Sequence, residues 1–386
     1  MILGDFKGGT PLQKYNTFYI MYSIFLFIIY FYFTDGFFPK NPFKQPVRLL
    51  SMNNYEYSKE YYDFYMKFKK PLLLSNDVPD YDNFAKKHEK NYFIFEKNFK
   101  TIYDTNNQLK LQKNSFSVEI NEFADTVDLD NIFTQNIMIN EIQPPHTNKD
   151  GFMKMMRNPI HFLKKTITNN IPRFSWNDTG LLSPVKNQLT CGSCWAFSTT
   201  SCIETFMRNR NYTIERLSEQ ELVDCSTENS GCNGGLMHLA MDYIIDNKGL
   251  STDKEYPYNA TTGDTCLVNK TRAIGSDLKK YTFTIPESVQ DLKASVLQNP
   301  VTIAVDAGNV YFRFYKEGVI DVPQNVSRSL NHAVLLVGYD YDEKGMYWII
   351  QNSWGDQWGD KGFCKIRVAP KEGVLLSQVY GVYPIE

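Results

Sequence analysis

Three short stretches hold the side chains best suited to nucleophilic chemistry. They are Gln188-Leu189-Thr190-Cys191-Gly192-Ser193-Cys194, Asn331-His332-Ala333 and Gln351-Asn352-Ser353-Trp354. Cys194 opens an apolar segment that reaches about Met207, which predicts a loop ending in a helix with the thiol at the helix N-terminus. Unpaired backbone N–H groups and the helix dipole favour negative charge there, and the thiolate is the attacking form of cysteine. Such a nucleophile needs a base. Of the five histidines, His88, His146 and His161 precede the domain delimited below, leaving His238 and His332. His238 falls in the middle of a predicted helix without an evident partner. His332 stands 138 residues, and Asn352 158 residues, beyond Cys194. Cys, His and Asn in that order can form a triad in which an amide orients the imidazole that serves the thiol. Two other chemistries use the same residue types. A cysteine at a helix start is often structural, and C-x-x-C occurs in redox and zinc sites. Cys225 and Cys232, separated by six residues, are poorly spaced for a second zinc pair, so no metal and no cofactor are expected.

The run Cys191-Gly192-Ser193-Cys194-Trp195, followed by His332 and Asn352 at these distances, resembles the papain family of cysteine proteases, close to its cathepsin L-like branch. That resemblance implies a cysteine endopeptidase. Cys194 would attack the peptide carbonyl, His332 would pair with it and later protonate the leaving amine, and Asn352 would hold the imidazole. Trp354 would cover the Asn–His pair. Gln188 would complete the oxyanion hole with the Cys194 backbone N–H, each donor lowering the barrier by ~3 kcal/mol. The resemblance also places substrate contacts at Gly192, Gly234, Gly235, Leu236, Met237, Ala304, Leu330, Asn331 and Trp354. Leu236, Met237, Ala304 and Leu330 are apolar, so a hydrophobic residue is expected at P2, the second residue before the cut. The floor of that pocket is expected near Ser377 to Tyr380. The implied disulfides are Cys191–Cys232 and Cys225–Cys266, with Cys202 and Cys364 either free or paired together. One departure stands out. Leu189-Thr190 replaces the glycine usual after the glutamine, which bears on the oxyanion-hole geometry. Only His238 lies between Cys194 and His332, so a cathepsin B-like dipeptidase is not expected. The alternative, a catalytically silent binding protein, is opposed by the intact Cys194, His332, Asn352 and Gln188.

The elements that would position these residues are legible downstream of Pro172. Ser218-Glu219-Gln220-Glu221 reads as a capping box opening a short helix toward Cys225, and Leu236 to Asp246 as a third helix ended by Gly249. Strand patterns then follow at Val301 to Val305, Ala333 to Val337, Met346 to Ile350 and Gly362 to Val368. Helices first and strands second predict an α+β fold of two lobes, and the resemblance implies the same, papain-like architecture. Cys194 would stand on the helical lobe and His332 on the sheet lobe, facing each other across a cleft.

The rest of the 386 residues divides in chain order. Residues 1–14 form a short tail. Residues 15–34 carry no charge and end without a small-residue cleavage site, so they read as an uncleaved transmembrane signal-anchor, twenty helical residues matching a bilayer core of ~30 Å. Residues 35–54 are a linker. Residues 55–125 have helical spacing, and Phe95, Asn98, Ile102 and Asn106 resemble the second half of the helical motif of cathepsin L-like propeptides. Lys87 and Asn91 depart from its first half, and Asn121-Glu122-Phe123-Ala124-Asp125 resembles the element that follows. An inhibitory propeptide is therefore expected, mainly helical, as an intramolecular partner whose extended strand blocks the cleft. Residues 126–170 form a processing linker and 171–386 the peptidase domain. All seven cysteines, and the glycosylation sequons at Asn177, Asn211, Asn259, Asn269 and Asn325, lie after Pro172, which predicts an oxidising, lumenal or extracellular location. A net charge of −2 offers nothing to nucleic acid. The expected partners are protein and peptide substrates and, through the N-terminal span, a membrane. A monomer is expected, its mature form in an acidic lysosome-like or vacuolar compartment.

Overall fold

The structure is a computed structural model that describes residues 52, 54–69, 80–126, 171–268, 278–327 and 329–385. Everything below concerns the unit that runs from Asn53 to Glu386. The span expected at 15–34, nearly all of the two linkers and the Asn269 sequon lie outside the described residues. Among the described residues no helix is long and apolar enough to cross a membrane.

Three helices come first: α1 (Asn54–Phe68), α2 (Tyr81–Lys87) and α3 (Glu89–Leu111). Their interface is aromatic. The fully buried Tyr61 of α1 lies within 5.9 Å, centroid to centroid, of Phe84, Tyr92 and Phe95. On α3, Phe95 and Ile102 face inward, while the two asparagines of the same motif hold the chain that follows. Asn98 donates to the Ala124 carbonyl at 2.9 Å. Asn106 donates to the Val118 carbonyl and accepts from its N–H. The departure at Lys87 and Asn91 has a local solution. Asp125 takes its cation from Lys69, just past α1, at 2.9 Å, and Asn91 donates to the Asp125 carbonyl.

Strand β1 (Ser117–Val118) ends this layer, and β2 (Phe174–Ser175) begins the next. Helices α4 (Cys194–Asn209), α5 (Glu219–Cys225) and α6 (Met237–Asp246) form the first lobe. Every residue of α4 from Cys194 to Met207 is buried, so this helix is core on all faces. At α5 the cap is half of the expected box. Ser218 Oγ accepts from the Glu221 N–H at 2.9 Å. The Glu221 carboxylate instead accepts from the Ser251 N–H, Tyr243 and Asn247.

The second lobe is a sheet. Its elements are β3 (Lys280–Phe283), α7 (Val289–Val296), β4 (Val301–Val305), α8 (Val310–Arg313), β5 (Tyr315–Glu317), β6 (Val319–Ile320), β7 (His332–Asp342), β8 (Gly345–Gln351), β9 (Phe363–Arg367) and β10 (Gly381–Ile385). The strand order is β3-β10-β4-β7-β8-β9-β6, with β2 also on β7. β4 has the predicted bounds, but β7 runs from His332 to Asp342 because β8 pairs with it as far as Gly345. β3 and β10 were not expected. β10 begins at a glycine and contains Pro384, a composition that reads as loop. The proline is tolerated because β4 pairs only with Gly381 and Val382, so the ladder on that side stops before it.

The N-terminal layer docks on this lobe by backbone pairing. β1 runs antiparallel to β5, and the Glu119 N–H donates to the Phe314 carbonyl at 2.8 Å. The approach requires a glycine at 318. Its φ is 90°, and a Cβ there would sit 1.9 Å from the Ser115 carbonyl oxygen.

Cys191 is bonded to Cys232 and Cys225 to Cys266, each pair 41 residues apart in sequence. Cys202 and Cys364 are free and buried apart, and the Cys202 thiol donates to the Pro300 carbonyl. Loops of this length constrain the unfolded chain substantially. Replacing Cys225 and Cys266 together by alanine should lower unfolding free energy by about 3 kcal/mol. Denaturant titration checks this, and a loss below about 1 kcal/mol would contradict it.

His238 corrects an expectation. It is the second residue of α6, not mid-helix, and its Nδ1 lies 2.9 Å from the Tyr380 hydroxyl. That partner comes from 142 residues further on, beyond the reach of a local reading.

Candidate active site

Cys194 is the first residue of α4, and its thiol lies against the N–H groups of Cys194, Trp195 and Ala333. The first two belong to the helix N-terminus. The third is the residue after His332 at the start of β7, so the two lobes bring Cys194 and His332 together. The tautomer of His332 follows from its surroundings. Asn352 Oδ1 accepts from the Ser353 N–H at 2.8 Å. A backbone N–H can only donate, so the atom it faces is the oxygen. The same oxygen lies 2.7 Å from His332 Nε2, which therefore carries the proton. Nδ1, buried and without a hydrogen-bond partner among the described residues, is left for proton exchange. Trp354 lies over the imidazole with ring centroids 4.7 Å apart.

Both members of the pair are buried, and burial opposes their charged forms. The Cys194 thiol is pushed up to about 11 against the pull of its three N–H neighbours. The His332 imidazole is pushed down to about 4, with the Asn352 bond pulling the other way. Burial thus works against both the helix dipole at the thiol and the imidazolium form of His332.

A pH dependence follows. The folded pKa of His332 lies below its ordinary 6.5, so its contribution to stability is complete above pH 6.5. It is lost as pH falls toward 4, at up to about 1.4 kcal/mol per pH unit. In a Cys194→Ala background, thermal unfolding followed from pH 7 to pH 4 should show a shallower loss when His332→Phe is added. Parallel curves would remove His332 from the acid response.

Gln188 is fully buried and fixed at both ends of its amide. Ser353 Oγ donates to its Oε1 at 2.7 Å, and its Nε2 donates to the Cys191 carbonyl at 2.9 Å. The glycine missing after it is replaced by a strained residue. Leu189 adopts φ 54°, the left-handed region a glycine would take freely. Its N–H is held by Asn187 Oδ1 at 2.9 Å.

The expected substrate contacts fall into three groups. Gly192 and Gly235 stand where a side chain would not fit: a Cβ would meet the Cys232 carbonyl oxygen or the Asn229 and Trp195 side chains within 3 Å. Gly234, at φ 111°, leads the chain from Asn233 into Gly235. Leu236 caps α6, its N–H bonded to Asn229. Met237 and Ala304 are fully buried, and Ala304 pairs in register with Ala333. Leu330 and Asn331 lead into His332, and the Asn331 side chain accepts from the Ala307 N–H. Ser353, which sets both Gln188 and Asn352, was not singled out from the sequence, although it lies inside the Gln351-to-Trp354 stretch. Among the described residues no cluster of three or more His, Cys, Asp or Glu is placed to hold a metal.

A thiol at a helix N-terminus, an imidazole opening the facing strand and an amide just past the end of the next strand define a thiol-dependent acyl-transfer site. Residues 171–382 match the model of the papain family cysteine proteases, and the chain belongs to that family. It is 36% identical over 302 residues to a cathepsin L-like peptidase of Aedes aegypti, covering 74% of this chain and 87% of that one. It is 37% identical over 281 residues to procathepsin L of Mus musculus, covering 71% and 79%. The fold is similar to that of a digestive procathepsin L proteinase from Tenebrio molitor larval midgut, with TM-score 0.68, 27% identity and coverage of 86% and 100%. A recombinant stem bromelain precursor gives 0.67 at 29% identity, covering 85% and 98%. The chain is a cathepsin L-like cysteine endopeptidase in zymogen form, with its own propeptide as intramolecular inhibitor.

Proposed function

We propose that Cys194, His332, Asn352 and Gln188 carry the hydrolysis. His332 Nδ1 takes the Cys194 proton as sulfur attacks the scissile carbonyl. The oxyanion is met by the Cys194 N–H and the second hydrogen of Gln188 Nε2. The imidazolium returns the proton to the departing amine, and water then releases the acid and restores the thiol. The observation that carries this reading is the Asn352 oxygen shared between the Ser353 N–H and His332 Nε2, because it leaves Nδ1 for the thiol. Residues 55–125 act as the inhibitory propeptide, 126–170 as the segment cut in processing and 171–386 as the peptidase. Residues 15–34 anchor the precursor as a single-pass protein. Asn177, Asn211, Asn259, Asn269 and Asn325 are candidate glycan sites in a lumenal, lysosome-like location, and the mature enzyme acts as a monomer.

The apolar Leu236, Met237, Ala304 and Leu330 favour a hydrophobic P2 residue. Coumarin-amide peptides differing only at P2 test this. Leu or Phe should exceed Glu or Lys in kcat/KM by about tenfold or more, since an ion gains no partner among these side chains. Preference for a charged P2 residue would overturn the assignment.

A further inference from the structure

Tyr258 belongs to no regular element, yet its hydroxyl meets both ends of the loop that leads to the nucleophile. It donates to the Gln188 carbonyl at 2.7 Å and lies 2.7 Å from Ser193 Oγ. A phenol has a single hydrogen to give, so the Ser193 hydroxyl donates in the second bond. Ser193 stands at the N-cap of α4, but its hydroxyl makes no cap bond. Diverted to Tyr258, it does not compete for the Trp195 N–H that faces the thiol. The Tyr258 ring stands edge-on to Phe197 of α4 at 4.8 Å. Its backbone is held from the start of α5. Ser218 donates to the Tyr256 carbonyl at 2.6 Å, and the Asn259 N–H donates to Gln220 at 3.0 Å.

The clamp acts on the peptide group between Gln188 and Leu189. Leu189 holds φ 54°, which a leucine disfavours, and it is 52% exposed, so packing does little to enforce that conformation. Side chains hold the peptide group on both sides instead. Tyr258 takes its carbonyl, and Asn187 Oδ1 accepts its N–H at 2.9 Å. The Cys191 N–H reaches the same carbonyl only at 3.4 Å. The Gln188 amide is itself tied to Ser353 and to the Cys191 carbonyl. Through Ser193, Tyr258 sets this loop against the helix that carries Cys194.

We propose that Tyr258 is a positioning residue of the oxyanion hole, acting on catalysis through Gln188 without touching substrate. The inference rests on the assignment of Gln188 as an oxyanion donor. A glycine at 189 would take the turn freely; with leucine there, the Tyr258 hydroxyl supplies the restraint. An oxyanion donor works only at about 3 Å from where the charge develops, and a misplacement of about 1 Å costs on the order of 100-fold. Loss of the hydroxyl lets the strained peptide rotate and draws the Gln188 N–H away from that point. The thiol, carried by α4, keeps its place.

The test uses processed enzyme with its active thiol titrated, as wild type, Tyr258→Phe, Gln188→Ala and the double variant. Tyr258→Phe keeps the ring against Phe197 and should lose about tenfold in kcat on a coumarin amide, with KM within about twofold. A peptide aldehyde, whose tetrahedral adduct puts an oxygen in the hole, should bind about tenfold more weakly. Iodoacetamide alkylates the thiol without attacking a carbonyl, so its rate should stay within about twofold of wild type. Gln188→Ala should lose about 100-fold in kcat. Adding Tyr258→Phe to it should change kcat by no more than about twofold, because the group it positions is gone. If Tyr258→Phe does not fold, Ser193→Ala, which unties the hydroxyl from the helix, should show the same selective loss at about fivefold. Alkylation falling in step with hydrolysis, or an undiminished Tyr258→Phe loss in the Gln188→Ala background, overturns the inference. So does a Tyr258→Phe enzyme equal to wild type where Gln188→Ala is impaired. Full activity of Gln188→Ala would instead defeat the oxyanion assignment, and this inference with it.

Discussion

Cys194→Ala should abolish peptide hydrolysis, with kcat/KM falling by at least about 10⁴-fold, because the remaining oxyanion donors and binding groups cannot form the acyl intermediate. The same substitution should stop self-processing, so that the acidified variant keeps its full mass while wild type shortens. The expectation rests on the geometry around one sulfur. Cys194 alone among the free cysteines lies at a helix N-terminus and against the strand residue that follows His332. Cys202 and Cys364 are buried, and burial drives their thiols well above the ordinary range. Thiols so held are poor nucleophiles at neutral or acid pH. Activity persisting in Cys194→Ala would require another nucleophile and would refute the site.

Lys186→Met should cost about 5 kcal/mol of stability, the largest effect expected away from the chemistry. Lys186 is buried, with its ammonium 2.7 Å from Glu204 and 2.5 Å from Glu219. Burial alone would raise Glu204, but Lys186 holds its carboxyl below the usual range, helped by the Ser183 hydroxyl and the Leu217 N–H. Glu219 goes the other way: burial and the neighbouring Glu204 raise it more than Lys186 lowers it. One cation thus serves one ionised carboxylate and a second that resists ionisation. Without the lysine, Glu204 loses its counter-charge in a site closed to water. The cluster also ties the site together. Lys186 lies two residues before Gln188, Glu204 is on the nucleophile's helix α4, and Glu219 begins α5. Chemical denaturation of a Cys194→Ala background with and without Lys186→Met measures the loss. Replacing Glu204 and Glu219 by apolar residues alongside Lys186→Met should recover most of it. A single-variant loss under about 1 kcal/mol would show that water reaches the cluster.

Much of the site was legible because its determinants are local. An apolar run after Cys194 gives a helix whose first residue is the thiol, and the run from Val301 to Val305 gives β4. Asn331-His332-Ala333 lies at the mouth of a strand pattern, so His332 opens β7. What could not be read depends on partners distant in sequence. β10 needs β3 and β4 on either side before a segment with Gly381 and Pro384 can be a strand. The glycine missing at Leu189 bears on the geometry of Gln188. Leu189 takes the left-handed conformation itself, and Ser353, 165 residues from Gln188, fixes the amide. Lys69 supplies the charge for Asp125 from just past the end of α1. The ion pair was implied by the family resemblance, and the helix dipole favours its thiolate half. The dipole is present, but the burial that opposes it is a property of the assembled chain.

The most direct test of the central claim is to expose the acidified, processed chain and the intact precursor to a peptidyl epoxide and map the adducts by mass spectrometry. The account predicts one adduct, on Cys194, in the processed chain, and almost none in the precursor, where the thiol is buried. An adduct on Cys202 or Cys364, or equal labelling of Cys194 in the precursor, would contradict it.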